Sequence, residues 1–194
     1  MTTDPATPHP DELALVALAE EFMTEIKDLT PGKKLEAKLN TEYGPESRYY
    51  KGFEELALRG LKDGWLANVE IEGPRYRRSR LRQPSEQLNW FSITAVYMDS
   101  LDEAVFSGQY HAHPYGEINM SIQVPGTGPN PQLEGLNDFW AGKGWTCPGP
   151  GSHHYPRVRG GGVIALFFLP AGRISYNATP DMPQPADPGS ALGT

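Results

Sequence analysis

The spacing of apolar positions changes once along the chain, near Gly64. Before it, Leu13, Leu15, Val16, Leu18, Ala19, Phe22, Met23 and Ile26 recur at intervals of three and four, which gathers them on one side of an α-helix. Asp11 is placed to cap that helix, which ends around Asp28 because Pro31-Gly32 follows. A second helix is predicted from about Glu46 to Lys62, where Tyr49, Tyr50, Phe53, Leu56, Ala57 and Leu61 line one side and Gly64 is the stop. Between them, 32–43 is a Lys/Glu/Leu mixture that fits either a helical turn or a loop.

After Gly64, short β-prone runs separated by turn residues take over, at 65–72, 76–82, 89–98, 103–113, 117–124, 153–158, 162–169 and 173–176. Short strands jointed by Gly and Pro predict an antiparallel sandwich or barrel. Residues 125–152 carry Pro125, Gly126, Gly128, Pro129 and Pro131 with Trp140 and Trp145. They read as a long connector with one helical turn around 136–141, of the kind that often acts as a lid. The resulting organisation is a disordered tail at 1–10, a helical N-terminal extension at 11–64, a β-domain at 65–176 and a disordered tail at 177–194. The fold class is mainly β.

A chain of 194 residues suffices for one domain with a sizeable core. The net charge of −7 argues against nucleic acid or an anionic membrane surface as partner. Cys147 is the only cysteine, which excludes an intramolecular disulfide and points to a reducing compartment. A buried bystander is the simplest role for it. No apolar run approaches the ~20 residues of a membrane span, and the N-terminus lacks the basic and apolar regions of a secretion signal. These features predict a soluble cytoplasmic protein. Open sheet edges and an appended helix favour a homodimer.

Candidate chemistry lies in two histidine clusters. The first reads Gly108-Gln-Tyr-His111-Ala-His113-Pro-Tyr-Gly-Glu117 and the second Pro148-Gly-Pro-Gly151-Ser-His153-His154. Strand residues i and i+2 share a face, so His111 and His113 reach one ion together. A turn through Pro114 and Gly116 returns Glu117 beside them, and the second cluster supplies a fourth ligand. A lone histidine is usually a surface or satisfied core residue; four in two Gly/Pro-punctuated clusters, with a glutamate at the right offset, indicate a metal site. Imidazoles with one carboxylate suit Fe, Mn, Ni, Zn or Cu better than Mg or Ca. His9, in a Pro/Thr/Asp-rich start, is expected to be a solvated tail residue. The run Arg75-Tyr-Arg77-Arg78-Ser-Arg80-Leu-Arg82 places Arg78, Arg80 and Arg82 on one strand face and Arg75 and Arg77 on the other. Most such arginines are solvated edge charges.

The first cluster resembles the first cupin motif, with Gly108, His111, His113, Glu117 and a trailing Gly126. The second cupin motif is met in part by Gly151-Ser-His153-His154, with Val158 where asparagine is usual. The resemblance implies a jelly-roll barrel over 65–176. Its glycine-to-histidine spacing favours His154 over His153 as fourth ligand. Within the cupins, HAHPYGEINM, PGPGSHHYPRV and RGGGVIALFFLPAGRISY together resemble the bacterial 4-hydroxylaminobenzoate lyases. That similarity implies conversion of 4-hydroxylaminobenzoate and water to 3,4-dihydroxybenzoate and ammonia. One divalent transition metal (Fe, Mn, Ni or Zn) would act as Lewis acid, and no Gly-rich loop marks a nucleotide cofactor. Glu117 would be the carboxylate ligand or, if displaced, a proton shuttle. A small aromatic carboxylate needs a cation, for which Arg78, Arg80 and Arg157 are candidates, and Tyr115 could meet the ring. The same ligands suit an Fe(II) dioxygenase acting on a catechol or aminophenol, or a non-catalytic cupin that binds a small ligand.

Overall fold

A computed structural model describes residues 7–186. Its organising strand is β12 (Gly162–Pro170), nine residues of almost unbroken apolar character. Such a strand can be accommodated only where both faces are covered. It pairs antiparallel with β3 (Phe91–Asp99) on one side and β6 (Ile118–Gln123) on the other. With β1 (Val69–Glu70), β2 (Tyr76–Arg82) and β9 (Gly144–Thr146) these form a six-stranded sheet ordered β1-β2-β3-β12-β6-β9. Val96, Met98, Val163 and Ala165 face a second sheet, meeting Phe106, Leu133 and Val158. That sheet is ordered β4 (Phe106–Ser107), β11 (Arg157–Arg159), β7 (Gln132–Glu134), β8 (Trp140–Ala141). The expected antiparallel β-sandwich with a helical N-terminal extension is therefore the one observed.

The other face of the large sheet, with Ile93, Ala95, Ile118, Met120, Ile164, Leu166 and Phe168, is covered by helices. Helix α1 (Pro10–Glu25) buries Leu15, Val16, Ala19, Phe22 and Met23, and α3 (Arg48–Asp63) buries Tyr49, Tyr50, Phe53 and Ala57. Phe22 stacks on Trp145 at 5.1 Å between centroids and meets Phe53 and Phe168 edge-on or tilted at 5.8 and 6.0 Å. The periodicity of both helices thus reports docking onto the sheet. Ser47 caps α3 by accepting from the Tyr50 amide, and Gly64 ends it with φ +79°.

Several expectations are corrected. His9, not Asp11, caps α1: its Nδ1 accepts from the Asp11 amide at 3.2 Å and its ring stacks on Trp65, while Asp11 pairs with Arg59. The ambiguous segment contains α2 (Lys33–Glu42). This helix seals the edge of β9 with polar side chains. Asn40 accepts from the Trp145 amide and donates to its carbonyl, both at 2.9 Å, and Glu36 accepts from the Cys147 amide. An open strand edge is a pairing hazard, and here a helix occupies it. The stretch 125–152 is built into both sheets through β7, β8 and β9. In place of the helical turn, Asn137 and Asp138 take positive φ in the β7–β8 hairpin. The run at 103–113 splits into β4 and β5 (His111–Ala112), and 153–158 into β10 (His153–His154) and β11, with Pro156, which has no N–H to donate, between them. Within 173–176 only Ser175 bridges, to Ala112.

Residues 177–186 have no regular secondary structure, yet Gln184 hydrogen-bonds the His153 backbone. Residues 1–6 and 187–194 of the expected tails lie outside the described residues. No helix among the described residues is long and apolar enough to cross a membrane.

Candidate metal centre

The centre is assembled by one strand pair and one turn. β5 and β10 run antiparallel, with His154 directly opposite His111 and His153 opposite Ala112. Directly opposed residues share a face, so the ladder puts His154 beside His111 and turns His153 away. Beyond β5 the ladder continues through the His113 amide to the Ser152 carbonyl and the Gly151 amide to the His113 carbonyl, both at 2.8 Å. The chain then reverses at Gly116, whose φ is +81° and whose added Cβ would lie 2.5 Å from Pro31 Cβ. Only glycine suits both conditions. The turn delivers Glu117, its amide bonded to the Pro148 carbonyl at 2.9 Å.

His111, His113, Glu117 and His154 each offer one ligand atom, all within 4.8 Å of one another. The three rings lie 4.7–5.1 Å apart between centroids. Backbone carbonyls orient two of them: His111 Nδ1–H donates to Gln109 at 2.9 Å and His154 Nδ1–H to Gly135 at 3.0 Å. Each is left with Nε2 as its lone-pair nitrogen, the arrangement seen around bound metals. His113 is fully buried, and neither ring nitrogen has a hydrogen-bond partner among the described residues. Its Nδ1 lies 3.4 Å from Glu117 Oε2 without hydrogen-bond geometry. Buried polar atoms are seldom left unpartnered, and a cation between these groups satisfies them.

The electrostatics agree. Burial alone pushes the Glu117 carboxyl up, but His113, His111 and His154 outweigh it and hold the group at about 2. Burial, reinforced by His113 and His111, pushes His154 down to about 3. His111 is lowered by burial and by His113. At neutral pH Glu117 is thus ionised and both imidazoles are neutral, the forms that bind metals. The donor set fits an Fe, Mn, Ni or Zn ion.

Glu117 is held from the side by a residue the sequence reading passed over. Asn119 Nδ2 donates to Glu117 Oε1 at 2.7 Å and to Thr146 Oγ1 at 3.2 Å. Strand alternation from Glu117 was signal enough to place Asn119 on the same face.

His111 and Glu117 open into a cavity walled by Tyr76, Val96, Met98, Phe167, Leu169 and Tyr176, with Arg78 and Arg80 on its rim. Neither arginine makes an ion pair among the described residues. Arg80 (β2), Thr94 (β3), Phe167 (β12), Asn119 (β6) and Thr146 (β9) stand in register as one row across the sheet. Arg82 leaves this face. A bulge between Arg80 and Arg82 sets two β2 residues against one on β3, and Arg82 pairs with Glu12 of α1. Arg75 pairs with Glu72 and Glu103. Arg157 is not brought to the cavity: its guanidinium grips the buried Glu134 with two hydrogen bonds in a separate depression. Tyr115 is exposed at the turn and does not line the cavity. His153 contacts the Tyr110 hydroxyl.

The 4-hydroxylaminobenzoate lyase (PnbB) family model matches residues 17–176. A 4-hydroxylaminobenzoate lyase of Nocardioides sp. (strain LMS-CY) is 54% identical over 166 residues, covering 86% of this chain and 95% of its own. One from Pseudomonas putida is 49% identical over 169 residues, covering 84% and 94%. Among solved structures, the DMSP lyase DddQ from Ruegeria pomeroyi DSS-3 aligns with TM-score 0.46 and 13% identity, over 88% of this chain and 98% of that one.

Proposed function

The chain belongs to the 4-hydroxylaminobenzoate lyase family, and from that premise we propose that it converts 4-hydroxylaminobenzoate and water to 3,4-dihydroxybenzoate and ammonia. The observation that carries the reading is the cavity that His111 and Glu117 share with Arg78 and Arg80. It offers a metal-ligating cluster and two cations without carboxylate partners among the described residues, joined by apolar walls suited to an aromatic ring.

The atoms balance without an external oxidant. The N–O bond breaks and takes its electron pair with the departing hydroxyl. One water adds at the neighbouring ring carbon, a second hydrolyses the resulting C=N bond, and loss of a ring proton restores aromaticity. His111, His113, Glu117 and His154 would hold one divalent ion (Fe, Mn, Ni or Zn), which when bound polarises the leaving oxygen and makes water a better nucleophile at neutral pH. Arg78 and Arg80 take the carboxylate and so fix which end of the ring faces the histidines. Phe167, Val96 and Met98 line the ring's side of the cavity and keep bulk water from the cation. Glu117 acts as an ionised ligand, its Oε1 already occupied by Asn119.

The test is an anaerobic assay on metal-loaded protein. Ammonia and a catechol should appear in equal amounts from 4-hydroxylaminobenzoate with no oxygen consumed. Strict dependence on O2, one per turnover, would overturn the lyase reading in favour of a dioxygenase on the same ligands.

A further inference from the structure

Asn119 is 1% exposed and Thr146 fully buried. The two face each other across the β6–β9 ladder. The orientation of the Asn119 carboxamide follows from chemistry, since only its NH2 end can face an ionised carboxylate at 2.7 Å. That contact occupies Glu117 Oε1 and leaves Oε2 on the side of His113. The strand behind Thr146 is fixed in turn: Asn40 and Glu36 of α2 hold the backbone on either side of it, at Trp145 and Cys147. A carboxylate free to turn can bind a metal through one oxygen or through both. One whose second oxygen accepts from a buried amide has its plane fixed and a lone pair engaged, which favours binding through the other oxygen alone.

We propose that Asn119, braced by Thr146, is a positioning residue that keeps Glu117 a one-oxygen ligand and so reserves a coordination position for substrate or water. This rests on the metal-centre reading above. It predicts a spectroscopic change rather than loss of the centre. Without the amide, Glu117 is free to give both oxygens, and the second would take the position otherwise open to water or substrate.

The test uses full-length protein loaded with Co(II) and titrated with azide, an anion that shifts the visible bands of cobalt only where it can enter an exchangeable position. Wild type should respond to azide. Asn119→Ala should still take up one cobalt, with affinity reduced about 10- to 100-fold as for other lost outer-shell partners, and its azide response should be lost or need at least about tenfold more azide. Asn119→Ser, which keeps a polar group in the buried site but loses the amide donor, should show the same loss, and it serves if the alanine variant does not fold. Thr146→Ser, which retains the Oγ, should keep the wild-type response. A wild-type azide response in the Asn119 variants at saturating cobalt, or none in cobalt-loaded wild type, would overturn the proposal. Failure of the wild-type protein itself to bind cobalt would instead overturn the metal centre on which it rests.

Discussion

His154 lies directly opposite His111 across the β5–β10 pair, whereas its neighbour His153 faces the other way and meets the Tyr110 hydroxyl. The doublet therefore divides its work between two faces of a two-residue strand. His154→Ala should strip the metal, because the remaining ligands share a geometry set for four. His153→Ala should keep the metal and loosen the 181–185 segment held near it. Metal content after dialysis, with limited proteolysis of the C-terminal stretch, checks both halves; the opposite pattern of metal loss would exchange the roles.

Acid should destabilise the metal-free protein. His154 is lowered from its ordinary 6.5 to about 3 and Glu117 from 4.5 to about 2. In each case the unfolded chain binds a proton that the folded chain refuses, so stability rises with pH across the interval. The His154 contribution is complete above about 6.5 and is lost as pH falls toward 3; that of Glu117 is complete above 4.5 and is lost toward 2. Urea midpoints of metal-free protein should fall between pH 7.5 and 5, and less steeply in His154→Ala. A flat profile in wild type would contradict the assignment.

The arginines should separate by position. Arg80→Ala and Arg78→Ala should raise KM for 4-hydroxylaminobenzoate about tenfold or more, the size of one lost charged hydrogen bond, and shrink its advantage over a neutral hydroxylamino-aromatic. Arg157→Ala should leave that preference intact. It should instead cost stability, because Glu134 is 3% exposed and would lose its partner. The loss should be on the order of 2 kcal/mol, below that of a fully buried pair because Arg157 is partly solvated. Steady-state kinetics on both substrates and thermal unfolding distinguish the two classes.

The α2 seal can be probed alone. Asn40→Ala removes both hydrogen bonds to Trp145 and exposes the β9 edge, so it should destabilise by about 2–4 kcal/mol. The loss should be visible in thermal unfolding, together with a greater tendency to associate. An unchanged melting temperature would show that water replaces the side chain without cost.

The long periodic segments were legible because many residues vote for one face: α1, α3, β3, β6 and β12 all announced themselves. So did the grouping of His111, His113, Glu117 and His154, since spacing along a strand is geometry. Elements held by a few distant polar contacts were not. α2 buries only Leu35, Glu36 and Leu39 and is defined by side chains that reach β9, which no local pattern records. β7, β8 and β9 are two or three residues each, too short for a period. Arg157 looked available because nothing near it in sequence announces Glu134, and Arg82 changed faces at a bulge one residue long.

The row from Arg80 through Thr94 and Phe167 to Asn119 acts as a ruler whose gradations are strands. Three inter-strand steps span about 14 Å between backbones. An arginine stands at one end of that row, and at the other stands the amide that grips the carboxylate ligand Glu117. The separation between the cation and the carboxylate ligand is thus set by the strand order of the sheet, and a substrate seated on both would be measured against backbone spacing. Placing the cation on β3 instead of β2 would shorten that separation by one graduation, about 4.8 Å, with no loop reshaped.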